Sequence, residues 1–259
     1  MTSILTTHVG SLPRSKELSE LLFAKDKGDE YSKEKFEEVL ASNVDQIVKR
    51  QLEVGIDFIS DGEMSKISYA TYIKDRIEGF SGESERRAPA DLDDFPEYKD
   101  KIAKSGGTPT YSRPCCTDEL KIKDEISLLN DIANFNNALK KFNHTKAFMN
   151  AASPGVINVF MPNKFYNSDD EYLNKLSNIM ATEYEKITQA NIQVQLDCPD
   201  LALARHMNFK DLSEDEFLKR AEIQIECLNT ALQNVDNEMT RMHICWGNYE
   251  GPHTHDIAL

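Results

Sequence analysis

The sequence predicts an α/β protein whose strands form the wall of a parallel (β/α)8 barrel. Three observations carry that expectation: short β-prone runs alternate with long amphipathic helices, polar residues gather where the strands end, and helix-capping signatures open several of the helices. About six strand-then-helix units can be counted, with no helix after the last strand, so the barrel is expected to break off after about strand 6.

The first unit opens with SILTTHV at 3–9, a β-prone run that ends in a loop built from Gly10, Ser11 and Pro13. From Ser32, the residues Phe36, Val39, Leu40, Val44, Ile47, Val48 and Leu52 recur at steps of three and four, which is one helical stripe, and Gly55 supplies a left-handed stop. IDFIS at 56–60 is the second strand and ends in Asp61, Gly62 and Glu63, with a helix expected over 66–77. Residues 79–109 are rich in Gly, Pro and charge without periodicity and read as a surface insertion in a single domain over 1–259. A third strand is expected at 110–114 and a helix over 124–142, carrying Ile126, Leu129, Ile132, Ala133 and Leu139. The fourth strand is KAFMNA at 146–151. Ser168 with Glu171 opens the next helix, the fifth strand follows at 194–198, Ser213 with Glu216 opens another helix, and the last strand spans 240–245.

Composition narrows the function classes. A hydrophobic content of 40% over 259 residues can bury a large core, and no apolar run is long enough for a membrane span. With no secretory leader pattern at the N-terminus, the protein is expected to be soluble and cytoplasmic. Five irregularly spaced cysteines argue for reduced thiols, and a net charge of -14 argues against nucleic-acid and membrane partners.

The strongest chemical signal is His243 with Cys245 on the last strand. Side chains two apart share a strand face, so imidazole and thiolate can converge on one zinc ion, although a buried cysteine beside a core histidine gives the same pattern. At the end of the fifth strand Asp197 is a candidate ligand for a substrate ammonium, whereas Asp200 equally suits a helix N-cap. Glu63 can face the same mouth or simply sit in an exposed first turn. Gly10 and Ser11 offer backbone donors and a hydroxyl suited to a carboxylate, or form a plain turn. Cys115, Cys116, Cys198 and Cys227 read as packing residues.

Four ordered motifs, THVGSLPR at 7–14, ISDGE at 59–63, QLDCPDLALARH at 195–206 and MHICWGNYEGPHTHDI at 242–257, resemble the cobalamin-independent methionine synthase family. The likeness is to its C-terminal catalytic domain and its single-domain archaeal and bacterial relatives. It implies a triosephosphate-isomerase-type barrel shared with uroporphyrinogen decarboxylases, and zinc-dependent methyl transfer from 5-methyltetrahydrofolate or a related donor to homocysteine, giving methionine. It implies His243 and Cys245 as zinc ligands, Gly10 and Ser11 as the carboxylate site, and Glu63 and Asp197 as holders of the amino group. The family's other zinc ligands, a Glu and a second Cys, would fall beyond residue 259, so weak zinc affinity and little activity are expected of these residues alone. The Trp246, Gly247, Asn248 run resembles the single-domain relatives, which differ in donor and acceptor. Two alternatives stay open: a zinc thiol alkyltransferase with another acceptor such as coenzyme M, and a non-catalytic metal-binding fragment in which His253 and His255 join His243 and Cys245.

Overall fold

Serine caps and apolar stripes set the long helices expected after Ser32, Ser168 and Ser213, and further helices join them. In the computed structural model, which describes residues 4–85, 88–104, 111–247 and 251–257, the helices are α1 Lys16–Lys27, α2 Lys33–Glu53, α3 Pro96–Lys104, α4 Ile126–Lys141, α5 Pro154–Phe160, α6 Asp169–Gln189 and α7 Glu214–Ala231. The hydroxyls of Ser15, Ser32, Ser153, Ser168 and Ser213 each accept a backbone N–H of the first turn. At Ser213 the capping box is reciprocal, with Glu216 accepting the cap's own N–H. No described helix is long and apolar enough to cross a membrane.

The strands are β1 Ile59–Ser60, β2 Ile77–Ser81, β3 Cys115–Ile122, β4 Ala147–Ala152, β5 Gln193–Asp197 and β6 Thr240–His243. β1, β4, β5 and β6 form a parallel sheet in that order, with Ile59 opposite Ala147, Phe148 opposite Gln193 and Val194 opposite Thr240. Helices cover the sheet because its strands are apolar on both faces: every residue of β4 is buried. Val39, Val44 and Val48 of α2, Ile132 and Phe135 of α4, and Leu176, Met180 and Tyr184 of α6 belong to the core cluster, and α2 packs on α4 as α6 packs on α7.

This is the expected α/β fold with a parallel sheet; among the described residues that sheet is open, so a barrel wall is not shown, and three expected elements need correction. The run at 3–9 contributes only a parallel bridge from Thr7 to Phe58. Four paired strands and a bridge give too little wall to curl through a full turn.

The strand expected at 110–114 falls partly outside the described residues; 111–114 carry no regular structure, and the strand starts after Pro114. That strand, β3, pairs antiparallel with β2 as a separate ribbon, so it is not a barrel stave. β2 in turn runs into the expected insertion, which also contains α3.

The helix expected over 66–77 is a set of turns followed by the short 3₁₀ stretch Thr71–Asp75. Ser68 accepts the N–H groups of Ala70 and Thr71 there, offering the backbone a local alternative to the helical ladder. Lys66, Tyr72 and Arg76 are turned inward onto partners from other elements. α1, by contrast, was not foreseen from sequence, and it follows directly on the Ser15 cap.

Candidate active site at the carboxyl end of the parallel sheet

Parallel strands deliver their final residues to one edge, so the polar groups after β1, β4, β5 and β6 meet there. Glu63 lies three residues past β1 and is 2% exposed. Its carboxylate accepts the Ser11 hydroxyl at 2.5 Å and the side-chain amide of Asn150 from β4. The loop that carries Gly10 and Ser11 is fastened to the β1 end by the Leu12 N–H, which donates to the Gly62 carbonyl at 3.1 Å. Gly10 itself takes a positive φ of 75°, which lets the chain turn into that loop. Arg14 donates to the carbonyls of Glu63 at 2.6 Å and Lys66 at 2.8 Å, locking the loop from its other side.

Asp197 closes β5, 4% exposed, with its Oδ1 lacking any hydrogen-bond partner. Burial, and then the neighbouring Glu63 charge, push its carboxyl up to about 8. Asp61, which accepts the Glu63 N–H, is pushed up to about 6, chiefly by burial. The Lys66 ammonium donates to the Asn150 carbonyl and sits 4.0 Å from the centre of the Tyr72 ring.

His243, opposite Asp197 in the ladder, is half-buried, and burial lowers its pKa while the Glu63 charge opposes the shift. The Cys245 thiol is pushed up by burial, with Asp197 adding to the rise. The six expected positions, Gly10, Ser11, Glu63, Asp197, His243 and Cys245, thus lie in the first loop and at or just past the ends of β1, β5 and β6. Among the described residues, however, His243 and Cys245 do not gather a third His, Cys, Asp or Glu within ligand distance. His253 and His255 do not join them: His255 pairs with Asp94 at 2.8 Å, and His253 lies with His206, Asp91 and Asp256.

Asp200 is not an N-cap. Its carboxylate accepts the hydroxyl of Ser153, which is itself the cap of α5, and burial pushes it up to about 7. Cys115, Cys116, Cys198 and Cys227 are buried, as packing residues should be. Sequence reasoning passed over Asn150, Lys66 and Arg14. Asn150 carried a usable signal, since an amide in the middle of the apolar run AFMNAA must find a buried partner.

Residues 4–94 match the model of the cobalamin-independent synthase catalytic domain. Over 250 residues the chain is 24% identical to a methionine synthase of Sulfolobus acidocaldarius, covering 96% of this chain and 63% of that protein. A methionine synthase of Saccharolobus solfataricus is 23% identical, with 98% of this chain and 67% of the relative covered. Among solved structures, a B12-independent methionine synthase from a Shewanella species, in complex with selenomethionine, superposes with a TM-score of 0.65 at 18% identity, over 93% of this chain and 61% of that one. The chain therefore spans less than two thirds of the length of some of the proteins it matches. Along nearly its whole length the chain is thus similar in sequence, at 23–24% identity, to these methionine synthases, and its fold resembles that of the B12-independent methionine synthase structure.

Proposed function

We propose that the chain carries methyl transfer to the thiol of homocysteine, from 5-methyltetrahydrofolate or a related methylated donor. The observation that carries this reading is Asp197: a carboxylate oxygen buried without a hydrogen-bond partner, beside a second buried carboxylate on Glu63, is a place where an incoming cation would be stabilised and would draw off the proton that burial keeps on Asp197. A substrate ammonium fits that need. Asn150 and Ser11 fix the Glu63 carboxylate so that it faces the same mouth, and the Gly10–Ser11 loop presents backbone donors for the substrate carboxylate.

The donor chemistry of His243 and Cys245 suits zinc. Burial keeps the imidazole in the neutral form a metal needs, and it keeps the thiol protonated until a cation draws the proton off. When bound, zinc supplies the positive charge that holds a substrate thiol as its nucleophilic thiolate at neutral pH. The names of the relatives support the reaction, since the chain is also 21% identical over 253 residues to a 5-methyltetrahydropteroyltriglutamate–homocysteine methyltransferase of Bacillus cytotoxicus. All five cysteines are unpaired, which suits thiol chemistry in a reducing cytoplasm.

The test compares homocysteine with 3-mercaptopropionate, which keeps a thiol and a carboxylate but lacks the amine. In Glu63→Gln and Asp197→Asn, calorimetric binding of homocysteine should weaken by about tenfold or more, the loss of one charge-assisted contact, while 3-mercaptopropionate should change little. Equal weakening of both thiols in variants that still fold would sink the assignment.

A further inference from the structure

Away from that mouth, three segments remote in sequence bring two imidazoles and two carboxylates to one point. Asp91 comes from the 3₁₀ turn Ala90–Leu92, His206 from the turn Leu203–His206 after β5, and His253 and Asp256 from the segment after β6. One oxygen or nitrogen of each lies within 4.8 Å of all the others. The Asp91 and His206 side chains are 0% and 1% exposed, whereas His253 and Asp256 reach the surface at 33% and 24%.

Asp91 is held tightly. One carboxylate oxygen is hydrogen-bonded to Nδ1 of His206, and the other accepts the backbone N–H groups of Thr254 at 2.7 Å and His255 at 2.8 Å. Those bonds draw the segment after β6 onto the 88–94 arm, and they place the His253 ring 6.0 Å from that of His206, only 23° from parallel. His253 Nδ1 in turn lies 3.7 Å from Asp256 Oδ1.

The charges point to a cation. Two carboxylates and two imidazoles whose oxygen and nitrogen atoms lie this close together, with Asp91 and His206 out of solvent, are a donor set that a divalent ion can bridge and balance. Mixed imidazole and carboxylate donors suit the borderline first-row cations, zinc and cobalt among them, better than calcium or magnesium.

We propose that Asp91, His206, His253 and Asp256 form a second site for a divalent transition-metal ion, separate from His243 and Cys245, that ties the 88–94 arm to the segment after β6. The site has no sulfur donor, and that difference makes it separable from the first. Full-length protein carrying His243→Ala and Cys245→Ser together should be stripped with EDTA and titrated with Co(II), read by visible absorption, with bound metal counted by mass spectrometry. The expected result is one Co(II) per chain with ligand-field bands and no thiolate-to-cobalt charge transfer in the near ultraviolet. Adding His253→Ala or Asp256→Asn, at side chains that reach the surface, should weaken that binding at least tenfold with the circular dichroism unchanged. A double variant that takes up no Co(II), or whose Co(II) is indifferent to both added substitutions, would overturn the proposal and leave the cluster a purely hydrogen-bonded tie.

Discussion

Replacing Asp197 by Asn should change stability in a pH-dependent way that its surroundings dictate. Its carboxyl is pushed from 3.8 to about 8 by burial and then by the Glu63 charge, and Oδ1 has no partner to offset the loss of water. Between those two values the folded chain keeps a proton that the unfolded chain has released, so wild-type stability falls as pH rises and levels off above about 8. The slope is about 1.4 kcal/mol per pH unit for one such group. Asn resembles the neutral acid in shape and cannot ionise, so the variant escapes this loss. From about pH 5 to about pH 8 its advantage over wild type should therefore grow by on the order of 3 to 4 kcal/mol. Urea denaturation of EDTA-treated protein at both pH values measures this directly. Asp61 and Asp200 are also raised by burial, to about 6 and about 7, but they titrate in both chains and drop out of the difference. A gap between variant and wild type that stays constant with pH would refute the reasoning, because it would mean that Asp197 ionises as readily folded as unfolded.

Two further substitutions test how the mouth is supported. Arg76 bridges Glu183 at 2.7 Å and Asp131 at 2.5 Å, all three nearly out of solvent, so Arg76→Gln should cost about 3–5 kcal/mol by removing the cation that two buried carboxylates share; a loss under about 1 kcal/mol in denaturant titration would show that their hydroxyl partners or water suffice. At Gly155 an added Cβ would stand 2.0 Å from Oδ2 of Asp200, so Gly155→Ala should destabilise by about 1–3 kcal/mol, and an unchanged melting temperature would mean that the α5 entry is looser than its packing suggests.

The parts of the fold legible in the sequence are those whose signals are local. The caps at Ser168 and Ser213 and the stripe from Phe36 to Leu52 each fix an element through neighbours within a turn or two, and α2, α6 and α7 lie where these signals put them. Strand ends were legible for the same reason, because Asp197 and His243 follow apolar runs directly. What failed depended on partners remote in sequence. Nothing near residue 77 announces that Ile77–Ser81 will pair with Cys115–Ile122 across some thirty residues, and that pairing removes one expected wall strand. Helical spacing over 66–77 was overridden because Lys66 reaches Asn150 on β4 and Arg76 reaches Glu183 on α6. The Asp91 and His206 pair was invisible for a similar reason, since 115 residues separate its members.

Glu63 shows how those local and remote signals combine at the mouth. Gly62 and Glu63 occupy left-handed backbone in succession, at φ of 67° and 54°. Glycine takes that conformation freely, and at Gly62 it is also required by space, since a Cβ would meet the Met64 side chain at 2.8 Å and the Leu12 Cβ at 3.1 Å. Glutamate does not take it freely, and the strain is on the order of 1–2 kcal/mol. Such a residue persists only where its surroundings over-determine it. Here the Glu63 N–H donates to Asp61, its carbonyl accepts from Arg14 and from the Lys66 N–H, and its carboxylate is held by Ser11 and Asn150. Five bonds from three segments outweigh one strained residue. A relaxed turn at this point would direct the side chain along another path, so the strain is what delivers the Glu63 charge to Asp197, whose carboxyl it helps to raise. The two acids are thus coupled through the backbone that positions one of them, and the raised carboxyl of Asp197 depends on the Asp61–Gly62–Glu63 turn as well as on its own burial.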